Sequence, residues 1–167
     1  LSAFYLDNVQ GLNGSSVAPA YKGTHIYAWG AGATIGLGDS GLSIDGDFIQ
    51  TKGNHEFGHG NLWTAGLNYG EVDLNKPGSF TLGVHYVRAD AGAYLLGNSA
   101  LDMTDQLEYG WDNGTGVKFW VAKAGVAVQK NVELDAYYNF GAKAFDRYDD
   151  STKDPANTWG VELNYAF

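Results

Sequence analysis

Along Trp159-Gly160-Val161-Glu162-Leu163-Asn164-Tyr165-Ala166-Phe167 large apolar side chains alternate one for one with small or polar ones. Successive side chains of an extended chain leave on opposite faces. Trp159, Val161, Leu163, Tyr165 and Phe167 therefore share one apolar face, opposite Gly160, Glu162, Asn164 and Ala166. The same period of two recurs over Leu1 to Asp7, Thr24 to Leu37, Leu42 to Lys52, Leu62 to Val72, Ser79 to Ala89, Val117 to Val128, Val132 to Phe145 and Thr158 to Phe167. The reading is all-β: an antiparallel transmembrane β-barrel occupying residues 1–167, with about eight strands, near the lower limit for a single-chain barrel.

The connections sort into two kinds. Gly38-Asp39-Ser40-Gly41, Asp73 to Gly78 and Gln129-Lys130-Asn131 are short and built from turn-forming residues. Asn8 to Gly23, Gly53 to Asn61, Asp90 to Gly116 and Asp146 to Asn157 are long. Short and long alternate, as brief periplasmic turns and longer outside loops do in outer-membrane barrels. The segment Leu1 to Asp7 fits least well, since Phe4 and Leu6 compete with Ala3 and Tyr5 for the apolar face. The chain does not begin with Met and carries no signal sequence, so we expect a mature chain or a piece of a longer one.

Faces follow from parity. Tyr27, Trp29, Ile35 and Leu37 fall on one side, as do Trp63, Leu67 and Tyr69, then Phe80, Leu82, Val84 and Tyr86, then Trp120, Ala122, Ala124 and Val126. In the seventh segment Leu134, Ala136, Tyr138, Phe140, Ala142 and Ala144 are expected to share that side. The opposite side carries the candidate lumen-lining residues Asp45, Asp47, Asn68, His85, Lys123, Glu133, Asp135, Asn139, Lys143 and Glu162. Small residues expected on the same side include Gly30, Gly32, Gly66, Gly83, Gly125 and Gly141. Aromatics gather near the strand ends, where rings sit at headgroup level in membrane barrels. On this pattern Asn139→Arg should be tolerated.

Composition agrees. Tyr contributes 11 residues and Gly 24, aromatics make 14%, and mean hydropathy is only -0.25, as expected when apolar surface is spread over alternate residues. No run approaches the roughly 18 apolar residues of a membrane-spanning helix. With no Cys there is no disulfide or thiolate chemistry. A formal charge of -9 argues against nucleic-acid binding, which needs a basic face.

Several short motifs are weaker than they look. His55-Glu56-Phe57-Gly58-His59 matches the two-histidine zinc signature, but that chemistry needs a helix, and the surrounding glycines and asparagines favour a polar loop. Leu62 and Ala65 also stand where the longer metzincin pattern needs Gly and His. Gly36-Leu37-Gly38-Asp39-Ser40-Gly41 matches a dinucleotide fingerprint, yet Leu42 onward resumes strand alternation where a helix is required. The pairs Asp45 with Asp47 and Glu133 with Asp135 share strand faces without defining the carboxyl geometry of a glycosidase. The acidic stretch Asp146 to Asp154 lacks calcium-loop order. The stretch Asn98 to Tyr109 is helix-compatible, with caps at Asn98 or Ser99; folded inward it would narrow or plug a pore, and a place outside is the default.

The final strand ending Leu163-Asn164-Tyr165-Ala166-Phe167, together with the alternating connections, resembles the C-terminal barrel region of bacterial outer-membrane porins. More narrowly, Lys130 to Tyr138 followed by Asn157 to Leu163 is similar to the closing hairpin of S-layer-homology porins, whose barrels have about sixteen strands. The general resemblance covers nearly the whole chain and the narrow one its last third. It implies an outer-membrane location, Tyr165 and Phe167 as a signal read by the barrel-assembly machinery, contact with outer-membrane lipid, and a homotrimer. The function expected is passive diffusion of small hydrophilic solutes or ions, without cofactor, metal or catalytic turnover, either through this barrel or through a larger one to which the chain belongs. The alternative is a closed small barrel, filled by side chains, acting as an anchor or adhesion element.

Overall fold

In the computed structural model of the chain, residues 1–6, 26–53, 60–91, 93, 104–112, 114–146 and 151–166 are described. Eight strands run β1 (Ser2–Leu6), β2 (Ile26–Gly36), β3 (Leu42–Gly53), β4 (Gly60–Gly70), β5 (Phe80–Ala89), β6 (Gly116–Gln129), β7 (Val132–Phe145) and β8 (Thr158–Tyr165), with one helix, α1 (Thr104–Asp112), before β6. They form a single antiparallel sheet in which order in space is order in the chain. Among the described residues no pairing joins β1 to β8. The observed architecture is thus an all-β meander.

The short turns carry the chemistry their residues predict. Gly38–Ser40 winds into a 3-10 turn that begins on Gly38 at φ 62° and is followed by Gly41 at φ 73°. Ser40 Oγ donates to Leu37 O at 2.7 Å and accepts from Leu42 N–H at 3.1 Å. At the next turn Asp73 Oδ1 accepts from Asn75 N–H at 2.9 Å, and Ser79 Oγ both accepts from and donates to the Asp73 backbone. Lys130 and Asn131 close the β6–β7 hairpin, with Asn131 at φ 61°, a conformation Asn tolerates better than most residues. Asn131 N–H donates to Leu74 O and Ala166 N–H donates to Asn131 O, both at 2.9 Å, so the turns at this end are tied to one another.

Register fixes the faces. Ile35, Ile44, Leu67, Val84, Ala122, Tyr138 and Trp159 are successive partners across seven strands. That row starts near the turn end of β2 and finishes near the loop end of β8, so the strands are progressively staggered. In β1, Tyr5 pairs with Trp29 on the same apolar face, while Phe4 lies over Gly30 on the other. This resolves the competition between the two sets of side chains in the first segment.

The seventh strand departs from simple alternation. Trp120 pairs with Phe140 but Lys118 pairs with Lys143, so β7 holds one more residue than β6 across this stretch. Gly141, at φ 63°, absorbs it, the left-handed backbone of a glycine bulge. Parity inverts beyond that point. Lys143 is exposed on the face of Trp120, whereas Ala142 and Ala144 are buried on the opposite face. The expected placement of Lys143 on the polar face, and of the two alanines on the apolar one, is corrected by this bulge; Gly141 itself lies on the Trp120 side.

A second correction concerns α1. It packs on the sheet face opposite the aromatics rather than standing clear of the sheet: Leu107 joins Val87, Val117, Phe119 and Val121 in one buried cluster. Fully burying side chains of this size contributes about 1.5 to 3 kcal/mol each, which holds the helix down.

Candidate functional site: the polar face

The face opposite the aromatics divides into two zones along the strands. At the loop end it is apolar and closed. Val87, Phe119 and Val121 are each 0% exposed beneath α1, and a buried amide network pins the helix across β7 and β8. Asn139 Nδ2 donates to Gln106 Oε1 at 2.8 Å and to Thr158 Oγ1 at 3.1 Å. Gln106 Nε2 donates to Thr158 Oγ1 at 2.9 Å and to Ala156 O at 3.2 Å. Tyr109 adds a hydrogen bond from its hydroxyl to Lys153 O at 2.6 Å. Asn139, read from the sequence as lining an aqueous interior, is thus a buried structural contact.

At the turn end the same face is polar. Asp45, Asp47, Asn68, His85, Lys123, Glu133, Asp135 and Glu162 all fall on it by register. Asn68 donates through Nδ2 to Asp45 Oδ1 and accepts at Oδ1 from His85 Nε2 at 2.9 Å. The Asp45 carboxylate lies 3.4 Å from His85 Nδ1. Thr64 Oγ1 donates to Asp47 Oδ2 at 3.3 Å, and Asn164 Nδ2 donates to Asp135 Oδ2 at 2.8 Å. Ser2, Thr34, Asp45, Asp47 and Asn68 border an open recess of about 420 Å³.

The glycines of this face have a steric role. Side chains from neighbouring strands lie flat over them: Asp47 over Gly32, His85 over Gly66, Asn68 over Gly83, and Glu133 with Asp135 over Gly125. Each glycine leaves room for a long polar side chain on the next strand.

The opposite face carries the apolar surface. Its aromatics pair across strands, with ring centroids 5.3 Å apart for Trp63 and Tyr86, 5.0 Å for Tyr86 and Trp120, and 6.1 Å for Tyr69 and Phe80. Tyr165 is exposed on this face; Phe167 lies outside the described residues. The His55 to His59 motif and residues 147–150 of the acidic stretch also lie outside them. Among the described residues no group of three or more His, Cys, Asp or Glu is placed to hold a metal ion.

Sequence reasoning missed Gln106 and Thr158 as site residues. The signal was present in Val117-Lys118-Phe119-Trp120-Val121-Ala122, apolar on both faces except for Lys118. A strand apolar on both sides is covered on both sides. No protein-family model matches the chain, and no curated protein matches it.

Proposed function

We propose that the chain forms wall of a bacterial outer-membrane β-barrel, whose polar face borders a passive route for small hydrophilic solutes or ions and whose helix α1 constricts that route. The observation that carries this reading is the continuous apolar face. Trp29, Ile44, Leu67, Leu82, Trp120, Leu163 and other large apolar side chains are all more than one-third exposed, on one side of a sheet whose other side is polar or helix-covered. In water such a surface far exceeds ordinary apolar patches; against hydrocarbon it is satisfied. The stagger of the register supports the same reading, because barrel closure requires strand tilt and shear. The barrel closes through β1 and β8, or through further strands in a wall of about sixteen, and the assembly machinery and a trimeric state belong to this proposal.

Planar-bilayer recording of the purified protein tests it. Stepwise conductance is expected, with weak cation preference set by Asp45, Asp47, Glu133, Asp135 and Glu162. That preference should fade as salt rises, since screening acts over roughly 8 Å at physiological ionic strength. Anion preference would refute the assignment of those carboxylates to the pore field. The buried layer of Val87, Phe119 and Val121 under Leu107 specifically favours a second reading, an occluded barrel serving as an anchor. Membrane insertion without any conductance would select it.

A further inference from the structure

The glycine bulge in β7 has a result on the apolar face. By turning Lys143 outward it places that residue directly beside Lys118, which is itself paired with Arg88. Three cations thus stand in one cross-strand row on β5, β6 and β7, with neighbouring Cβ atoms roughly 5 Å apart. The row lies two residues beyond Tyr86 and Trp120 toward the loop end of β5 and β6, about 7 Å further along the strands. Phe145 covers Gly116 and supports Arg88, whose guanidinium carbon is 4.3 Å from the ring centroid. Among the described residues no carboxylate forms an ion pair with Arg88, Lys118 or Lys143.

Like charges directly opposite each other destabilise a sheet, and this chain carries a formal charge of -9 with carboxylates to spare. A row of three cations with no carboxylate partner among the described residues, just outside an aromatic belt, is matched by an anion supplied from the headgroup layer. We propose that Arg88, Lys118 and Lys143 form a binding site for the phosphorylated headgroup of a membrane lipid, whose acyl chains lie along the apolar face below. Arg88 supplies a planar fork and the lysines compact charges, a combination suited to phosphate oxygens. The site rests on the reading that this face contacts lipid.

The test uses the full chain in phosphatidylcholine nanodiscs doped with phosphatidic acid, with retained lipid counted by native mass spectrometry. Retention of phosphatidic acid should fall by about fivefold per cation removed, and on the order of a hundredfold in Arg88→Gln/Lys118→Gln/Lys143→Gln. A control with the same charge change, Lys52→Gln/Lys76→Gln/Lys130→Gln, should retain the lipid. The single variants Lys118→Gln and Lys143→Gln give the same reading should the triple variant not fold. Equal retention by the triple variant overturns the site, as does equal loss in the control. Full displacement by inorganic phosphate overturns the assignment to a lipid. A chain that does not enter phosphatidylcholine alone overturns the membrane reading, and is distinguished from failure of the site by the absence of inserted protein.

Discussion

Asn139 carries more of the interior than its neighbours, because its amide joins the helix to two strands within a buried layer. Asn139→Leu should cost about 1 to 3 kcal/mol by leaving Gln106 and Thr158 short of a partner, measurable as a lowered urea midpoint in lipid-refolding titrations. Asn139→Arg, tolerated on alternation alone, should fail more severely, because it buries a charge where Asn139 is 1% exposed. On the polar face Gly66→Ala would bring a Cβ to 2.8 Å from Asp45 Oδ1 and closer still to the His85 ring. The expected outcome is loss of the His85 to Asp45 contact, seen as a displaced His85 ring resonance with the fold retained. At the β4–β5 turn, the hydrogen bond from Asn75 N–H and the nearby Lys76 ammonium hold the Asp73 carboxyl below its ordinary 3.8. A depressed folded pKa adds stability that is present above the unfolded value and is lost as pH falls through the folded one. Asp73→Asn keeps the acceptor but removes this acid-dependent contribution, so its stability should vary less than the parent's below about pH 4.

The elements differ in how far alternation foretells them. Replacing Gly141 with Val, which disfavours the left-handed backbone of the bulge, should restore simple parity in β7, sending Lys143 to the polar face and Ala142 with Ala144 outward. An environment-sensitive dye on Lys143→Cys would then report the change, its emission moving between the Gly141→Val background and the parent. Strand spans were legible because period two is a property of the chain itself: β7 runs Val132–Phe145 and β3 begins at Leu42, as the pattern predicts. The bulge was not legible, since Gly141 reads as one more small inward residue until the pairing of Lys118 with Lys143 reveals the extra position. Helix α1 was half legible. The stretch Asn98 to Tyr109 reads as helix-compatible and the helix observed is Thr104–Asp112, the expected caps Asn98 and Ser99 lying outside the described residues; its seat depends on Val117, Phe119 and Val121 from another element, and no local pattern encodes that meeting. Leu107→Ala should cost about 2 to 5 kcal/mol, and in bilayers it should raise conductance or its fluctuation if α1 constricts the route.

For the whole molecule, the division into two faces sets which substitutions a membrane would notice. Ala122→Arg, in the middle of the row from Ile35 to Trp159, should cost about 2 to 4 kcal/mol near the bilayer midplane. Glu162→Arg, on the polar side, should leave lipid-refolding stability within about 1 kcal/mol of the parent; equal penalties at both sites would refute the assignment of faces. The meander also has a kinetic meaning. Every strand finds its partner immediately before or after it in the chain, so each pairing closes only the loop that separates neighbours, and the entropy lost at each step grows only slowly with that length. Structure can therefore accrue one hairpin at a time, without a search for distant partners. The outer edges of β1 and β8 have no partner strand among the described residues; a pairing of those two edges with each other would close a loop of nearly the whole chain, which would make it the slowest and most interruptible step of the molecule's maturation.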